Sequence, residues 1–360
     1  MIEAPDPIRV LICDDSAFMR TALRRLIESD PGIKVVAQAA NGTEALQLIA
    51  QHDPDVVTLD IEMPGMSGLD VLRRIMEEKP RHVIMISSLT QEGAEITLQA
   101  LGEGAFDCIA KSLSHVSLDI VKIREELVAK IHAAAHSPRP SRVAAKKPSQ
   151  PQQLQHAACT IVPRVVVLGT STGGPKALQE ILPMLPADLP VPVIIVQHMP
   201  VGFTGPFARR LDNLCRIHIT EATPDEILEP GHVYIGPASW QITPYQKSPS
   251  RYALRLSKEP GNTPHIPSVD IMMLAAAKVY GRYAMGVVLT GMGNDGEAGM
   301  RALHQAGSYT ITQDEATSTV WGMPRACHEA GIATHTVPLQ QVPSEIMSAV
   351  RYSPKPAIGR

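Results

Sequence analysis

The chain has 360 residues, of which 44% are hydrophobic and 19% are charged, and its formal net charge is -3. This length exceeds the roughly 100–200 residues of a single domain and therefore predicts two domains with separate cores. The weak net charge is atypical of proteins that bind nucleic acids, and no run of about 20 apolar residues predicts a membrane-spanning helix. The first residues lack a signal-peptide pattern, so we expect a cytoplasmic protein that neither binds nucleic acid nor inserts into a membrane.

The cysteines argue against a zinc or redox site. They are odd in number and scattered, with no CxxC pair. We expect reduced thiols that are mostly buried as small hydrophobic side chains. The five are Cys13, Cys108, Cys159, Cys215 and Cys327.

Over the first 130 residues, short β-branched runs alternate with helix-length segments that have apolar residues three and four positions apart. This alternation predicts a parallel sheet with helices on both faces, in a domain spanning 1–135. The last predicted helix is Ile120–Ala135. The predicted strands are Ile8–Cys13, Ile33–Gln38, Val56–Leu59, His82–Ser87 and Phe106–Ala110.

Acidic residues follow two of these strands. Asp14 and Asp15 come after the first strand, and Asp60 comes after the third. Carboxylates that meet at the edge of a parallel sheet repel one another unless a cation lies among them, and oxygen ligands suit Mg²⁺. Each acid taken alone is equally consistent with a helix cap.

A hydroxyl and a lysine lie at the ends of the fourth and fifth strands. Ser87 ends the fourth strand and Lys111 follows the fifth, so both are predicted near Asp60. In this arrangement Asp60 would accept a phosphoryl group, and Ser87 and Lys111 would contact the phosphoryl oxygens. The metal ion and Lys111 would neutralise the charge during transfer. The joint pattern is more specific than any of its members.

Together with the segment DIEMPGMSG, these positions resemble the receiver domain of bacterial response regulators from residue 8 to about 130. The resemblance implies a flavodoxin-like (βα)5 fold and phosphorylation of Asp60 by a histidine kinase. It also implies a Mg²⁺ site made by Asp14, Asp15, Asp60 and the backbone carbonyl of Glu62. Two positions depart from the family pattern, because Ser112 replaces the usual proline and Cys108 replaces a common aromatic residue. These departures affect the expected switching and leave the phosphoacceptor chemistry unchanged.

Residues 136–162 are rich in Pro, Ser, Gln and Lys and predict a flexible linker. Strand and helix patterns resume at about residue 163 and continue to 352. They predict a second α/β domain, doubly wound around a mostly parallel sheet. The apolar runs are RVVVLGTSTGG, VPVIIVQHM, HVYIGP, YALRLS and YAMGVVLTGMGNDG.

Ser171 lies in RVVVLGTSTGGP, directly after an apolar strand, and satisfies G-x-S-x-G. Flanking glycines expose the hydroxyl, and the following helix offers free amides to an oxyanion, as a nucleophilic serine requires. Glycine-rich turns between a strand and a helix also bind phosphates. The segment lacks both G-x-G-x-x-G and G-K-[ST], and the motif alone leaves both alternatives open.

A base and an acid are predicted at the same edge of the sheet. His198 ends VPVIIVQHM, and Asp295 follows the strand in GVVLTGMGNDG. Three strand ends would then supply nucleophile, base and orienting acid. The alternatives are a structural histidine and an aspartate that caps the helix beginning near Glu297.

The segments GTSTGGP, VQHMP, HIPSVD, LTGMGNDGEAGM and QDEATSTVWGMPRA resemble the catalytic domain of the CheB family of chemotaxis protein-glutamate methylesterases, from about Arg164 to Val350. The resemblance implies hydrolysis of glutamate methyl esters on chemoreceptors, often with deamidation of glutamines, and release of methanol or ammonia. It implies Ser171 as nucleophile, His198 as general base and acid, and Asp295 as the residue that orients the histidine. A chemotaxis histidine kinase would be the phosphodonor, and the hydrolase would need no cofactor.

Three further site residues follow from the same resemblance. The amides of Thr172 and Met292 are expected to form the oxyanion hole. His265, in PHIPSVD, is expected to contact substrate or oxyanion, with a surface-loop histidine as the alternative.

A receiver in front of a hydrolase predicts regulation by phosphorylation. We expect the unphosphorylated receiver to cover the active-site edge, with some activity remaining without phosphate. Coupling of about 1–3 kcal/mol would give roughly 5- to 150-fold activation. The competing hypotheses are a binding module without turnover and a nucleotide-binding domain built on GTSTGG.

Overall fold

The computed structural model describes residues 6–88, 90–111, 117–140 and 161–353. The chain divides into two compact units between residues 146 and 147. Ser112, Cys159 and most of the predicted linker lie outside the described residues, and the domain limits at 135 and 163 stay predictions. Within the described ranges, every helix is too short or too polar to span a lipid bilayer.

The first unit confirms the predicted alternation of strands and helices. Its five strands are parallel and lie in the order β2, β1, β3, β4, β5. Two strands match the predicted limits, while β3 extends by one residue to include Asp60. The elements are β1 Ile8–Cys13, α1 Ala17–Ile27, β2 Ile33–Ala39, α2 Gly42–His52, β3 Val56–Asp60, α3 Gly68–Glu78, β4 His82–Ser87, α4 Gln91–Gly102, β5 Asp107–Ala110 and α5 Ser117–His136.

Helix starts in this unit are fixed by side chains other than the strand-end acids. Ser16 accepts the amide of Met19 at the start of α1, and Ser67 accepts the amide of Asp70 at the start of α3. These caps satisfy amides that lack an intrahelical partner. Asp14 and Asp60 are therefore available at the sheet edge.

The second unit contains a seven-stranded parallel sheet in the order β14, β13, β12, β6, β7, β9, β8, and an antiparallel pair β10 and β11. The elements are β6 Val165–Thr170, α6 Gly174–Ile181, β7 Val193–Gln197, α7 Thr204–Leu214, β8 His218–Glu221, β9 His232–Ile235, β10 Gln241–Ser248, β11 Arg251–Ser257, α8 Val269–Tyr280, β12 Ala284–Val288, α9 Glu297–Gln305, β13 Tyr309–Gln313, α10 Met323–Glu329, β14 His335–Val337 and α11 Val342–Ala349. The doubly wound, mostly parallel architecture agrees with the prediction.

The chain reverses its direction across this sheet at β6. The next strand, β7, pairs on one side of β6, and β12 pairs on the other. Open parallel sheets bind ligands beyond the carboxyl ends of their strands at such a switch point. The ends of β7, β6 and β12 are therefore neighbours, and these three strands carry the predicted catalytic residues.

Candidate functional sites

The first unit brings the predicted phosphoacceptor residues together at the end of its sheet. Ligand oxygens of Asp14, Asp15 and Asp60 all lie within 4.8 Å of one another. Asp14 and Asp60 are buried, whereas Asp15 is exposed. Lys111 Nζ lies 2.6 Å from Asp60 Oδ2 and 3.2 Å from Asp14 Oδ2. Neighbouring parallel strands β1 and β3 produce this convergence, as the sequence predicted.

The charges of this cluster fit a divalent cation. Apart from the Lys111 ammonium, the described residues offer no hydrogen-bond donor to Asp60 Oδ2 or Asp14 Oδ2. Burial raises the pKa of Asp60; Lys111 opposes this effect and Asp14 adds to it. One ammonium among three carboxylates leaves excess negative charge, and hard oxygen ligands with an exposed side suit Mg²⁺.

Ser87 and Glu62 lie beside this cluster but make other contacts. The buried Ser87 hydroxyl accepts a 2.7 Å hydrogen bond from Thr97 on α4 and can donate to a backbone carbonyl. The amide of Glu62 donates to Asp60 Oδ1 over 3.2 Å, and its side chain accepts the Ser88 hydroxyl over 2.6 Å. In this structure the Ser87 hydroxyl is therefore bound to α4.

The unusual Cys108 contacts a polar cluster around the buried Lys130 that the sequence did not reveal. Its carbonyl accepts a 2.6 Å hydrogen bond from Lys130 on α5. Lys130 Nζ also lies 3.3 Å from Asp107 and 2.7 Å from Glu126. Burial raises the pKa of the Cys108 thiol to about 12, so the thiol stays protonated. Helix α5 is thus fastened to β5 just before Lys111.

The second unit places the predicted triad at the ends of three adjacent strands. Ser171 follows β6, and its amide donates to Thr290 O, 3.0 Å away. His198 follows β7, and its amide donates to Thr170 O over 3.2 Å. His198 Nε2 lies 2.9 Å from Asp295 Oδ2, after β12. The histidine and aspartate side chains are 9% and 10% exposed, which protects their hydrogen bond from solvent.

Asp295 also binds the start of helix α8. Its Oδ2 accepts the amide of Val269 over 2.8 Å. Its Oδ1 accepts the Ser268 hydroxyl and the Asp270 amide, each over 2.9 Å. Burial raises the pKa of Asp295, but hydrogen bonds from His198 and these amides outweigh it and lower the pKa to about 2. The carboxylate is ionised at neutral pH.

The structure excludes the alternative that Asp295 caps α9. The amides of Gly296 and Gly299 at the start of that helix both donate to Asp270 Oδ1, over 2.9 and 2.8 Å. Asp270 therefore caps α9 from the first turn of α8. Asp295 remains directed at His198 and α8.

A glycine in β6 allows α8 to approach the sheet closely enough for these contacts. A Cβ on Gly169 would lie 2.2 Å from Val269 Cγ1, which is a severe overlap. Val269 is fully buried at the first position of α8. The amide of Val269 reaches Asp295 because position 169 has no side chain.

His198 offers Nδ1 for proton transfer, since Nε2 binds Asp295. Nδ1 is buried and has no hydrogen-bond partner within the described parts of the chain. The ring stacks on exposed His265, with centroids 4.0 Å apart and planes at 16°. His265 is thus an exposed loop residue that lies at the site, and its contact with the substrate stays a prediction.

The predicted oxyanion residues flank Ser171. Thr172 follows the serine, and its carbonyl accepts the Thr290 hydroxyl over 2.9 Å. Met292 follows Gly291, at which a Cβ would lie 3.0 Å from Ser171 Cβ. The turn after β12 therefore packs directly on the serine. The G-x-S-x-G pattern alone does not predict this contact, and Met292 was expected here only from the family resemblance.

The comparisons with known proteins identify a family for each unit. Residues 166–346 match the family described as CheB methylesterase, and residues 10–121 match the response regulator receiver domain. A protein-glutamate methylesterase/protein-glutamine glutaminase of Oleidesulfovibrio alaskensis is 46% identical, over 95% of this chain and 99% of that protein. A protein with the same description in Chromohalobacter salexigens is 44% identical, over 96% of this chain and 97% of that protein.

A solved structure is also similar to the second unit. The CheB methylesterase catalytic domain of Thermotoga maritima is 35% identical and has a TM-score of 0.50. The match covers 52% of this chain and 98% of that domain. These shares agree with a catalytic unit joined to a separate receiver.

Proposed function

Because the chain belongs to the CheB methylesterase family, we propose that it hydrolyses glutamate methyl esters on bacterial chemoreceptors through Ser171, His198 and Asp295. It is a protein-glutamate methylesterase and glutaminase with a receiver domain that regulates it. The observation that carries the residue assignment is the buried hydrogen bond between His198 and Asp295, beside the strand end that carries Ser171. Its role is sensory adaptation in chemotaxis.

The geometry supports an acyl-enzyme mechanism. Ser171 Oγ attacks the ester carbonyl, and His198 Nδ1 accepts the hydroxyl proton. The tetrahedral intermediate then expels methanol, which takes that proton from the imidazole. Water attacks the resulting acyl-serine by the same route and regenerates Ser171, leaving a glutamate carboxylate. With a glutamine substrate, the leaving group is ammonia.

Asp295 stays ionised throughout this cycle. Its pKa of about 2 means that the imidazolium proton does not transfer to it at neutral pH. The carboxylate instead fixes the ring and stabilises the imidazolium. The absence of a hydrogen bond to His198 Nδ1 among the described residues is consistent with a free enzyme, since such contacts often tighten only with substrate.

The oxyanion would be bound by the amides of Thr172 and Met292. Thr172 lies in the turn that opens α6, and Met292 lies in the turn packed on Ser171. Each donor in such a site typically contributes about 3 kcal/mol to transition-state stabilisation. His265, stacked on His198, is proposed to contact the substrate from the exposed side of the site.

In the receiver, Asp60 is proposed to accept phosphate from a chemotaxis histidine kinase. Asp14, Asp15, Asp60 and the Glu62 carbonyl would hold Mg²⁺, which neutralises phosphoryl charge when bound. Lys111, 2.6 Å from Asp60, would stabilise the phosphoryl oxygens. Ser87 would contact the phosphoryl group after leaving its hydrogen bond to Thr97.

The test is release of methanol from methylated chemoreceptor. We expect Ser171→Ala to lower kcat by on the order of 10⁶-fold, since loss of the nucleophile removes covalent catalysis. The matched control is Ser308→Ala, which removes a buried hydroxyl bonded to the Gly281 carbonyl. Equal rates for wild type and Ser171→Ala would refute the serine mechanism.

A further inference from the structure

We propose that Gln197 is a positioning residue that holds the serine turn, which carries Ser171, and the histidine turn, which carries His198, in a fixed relative position. The inference rests on the proposed roles of Ser171 and His198. Gln197 is the last residue of β7, and only 1% of its surface is exposed. It therefore acts on the reaction through other residues and does not contact the substrate.

One side-chain amide links the two reacting segments. Gln197 Nε2 lies 3.0 Å from Ser171 O and 2.9 Å from His198 O. Both acceptors are carbonyl oxygens, so the network fixes the NH₂ group at this position and determines the orientation of the amide. Both hydrogens are thus donated, one to the residue carrying the nucleophile and one to the residue carrying the base.

The other end of the side chain shows that this arrangement costs stability. Gln197 Oε1 is buried and has no hydrogen-bond partner among the described residues. It lies against Gly174 at the start of α6, where a Cβ would be 2.0 Å from it. A buried acceptor without a partner is unfavourable, and such groups in native proteins often have a functional explanation.

The remaining contacts at the serine explain why the bridge is needed. Ser171 O accepts the Gly174 amide over 2.8 Å, which fixes the turn locally but does not connect it to the base. His198 is connected to β6 through its amide and Thr170 O. The Gln197 side chain adds a direct link from the serine turn to the histidine turn, and a misplacement of about 1 Å at a reacting group can cost on the order of 100-fold in rate.

Gln197→Met tests the bridge, because methionine fills a similar volume without donors. We expect kcat for methanol release to fall by about 10- to 100-fold, with KM changed by less than about twofold, since the substrate does not contact this residue. The matched control is Thr310→Val, which removes a buried hydroxyl bonded to Ile332 O over 2.8 Å at the start of β13. Similar losses of kcat in both variants would overturn the proposal.

Gln197→Glu supplies a second readout that a purely structural role would not change. Buried among carbonyls, the new carboxyl has a raised pKa, and only its protonated form can donate a hydrogen bond. The ratio of variant to wild-type kcat should therefore rise as the pH is lowered from 8 to 6, whereas the Gln197→Met ratio stays constant. A flat ratio for Gln197→Glu overturns the proposal even where Gln197→Met folds poorly.

The outcomes separate this inference from the proposed function. Absence of methanol release by the wild type would contradict the enzymatic assignment itself. Full activity of Gln197→Met beside an inactive Ser171→Ala would contradict only the positioning role of Gln197.

Discussion

Replacement of Asp295 by asparagine perturbs the triad without changing its shape. In one orientation the new NH₂ group opposes the Val269 amide donor, and it can donate to His198 Nε2 only if the imidazole carries its proton on Nδ1. In the other orientation the NH₂ group opposes the Asp270 amide donor, and only the Ser268 hydroxyl can accept a hydrogen bond from it. Every orientation therefore loses accepted hydrogen bonds.

The pKa gives the size of the effect on stability. A fall from the ordinary value of 3.8 to about 2 corresponds to about 2 kcal/mol of stabilisation of the ionised folded state. Because the folded pKa of Asp295 is depressed, this contribution is present above about pH 4. It is lost as the pH falls toward 2.

Two measurements check the prediction. Urea unfolding of the full chain at pH 7 should show the second unit of Asp295→Asn destabilised by about 2 kcal/mol or more, and the difference from wild type should shrink below pH 4. Methanol release should fall by on the order of 10⁴-fold, because the imidazole is no longer held in the useful tautomer.

Asp212→Asn is the matched control. Asp212 also makes a 2.9 Å contact with a histidine, to Nδ1 of His218 at the start of β8, where both side chains are much more exposed than those of the triad pair. Its loss should leave kcat unchanged. The reasoning would be refuted if Asp295→Asn retained more than a tenth of wild-type kcat, or if its loss of stability did not depend on pH below 4.

Three further outcomes are expected. Gly169→Ala should destabilise the second unit by about 1–3 kcal/mol in urea unfolding, because the added methyl overlaps Val269. Adding Val269→Ala should restore part of this stability, and failure to do so would contradict the close packing of α8 on β6. Asp60→Asn should keep basal methanol release but lose the roughly 5- to 150-fold activation by a small phosphodonor with Mg²⁺. Chelation of Mg²⁺ should abolish that activation in wild type and leave basal hydrolysis intact; activation that survives would argue against the acidic cluster as the metal site.

Sequence patterns predicted much of the architecture because strand ends in a parallel sheet converge. Val56–Asp60 and Val165–Thr170 are fully buried strands, and both consist mainly of valine and leucine. The strands β8, β10, β13 and β14 were missed. QITPYQKS in β10 contains a proline and charged or polar residues, and it pairs as a partly exposed antiparallel ribbon that an apolar run does not signal.

Which groups hydrogen-bond to each site residue depended on the tertiary structure. The sequence identified Asp295 and left open whether it capped α9, because a local pattern cannot show a contact with a residue about 25 positions away. Asp270 takes the cap, and the close packing of α8 against Gly169 and Gly299 allows it. The roles of Gln197 and Lys130 were also invisible, since neither lies in a spacing that predicts chemistry.

The amino-acid sequence by itself determined which strand ends carry the acids, the hydroxyls, the histidine and the lysine, because alternating apolar runs specify where each strand stops. The tertiary structure decided which atoms meet. It directs Asp295 to His198 and α8, turns the Ser87 hydroxyl to Thr97, and joins the serine and histidine turns through one buried amide. These contacts, between 2.7 and 3.0 Å long, join segments that are mostly far apart in the chain, so they form only when the core packs.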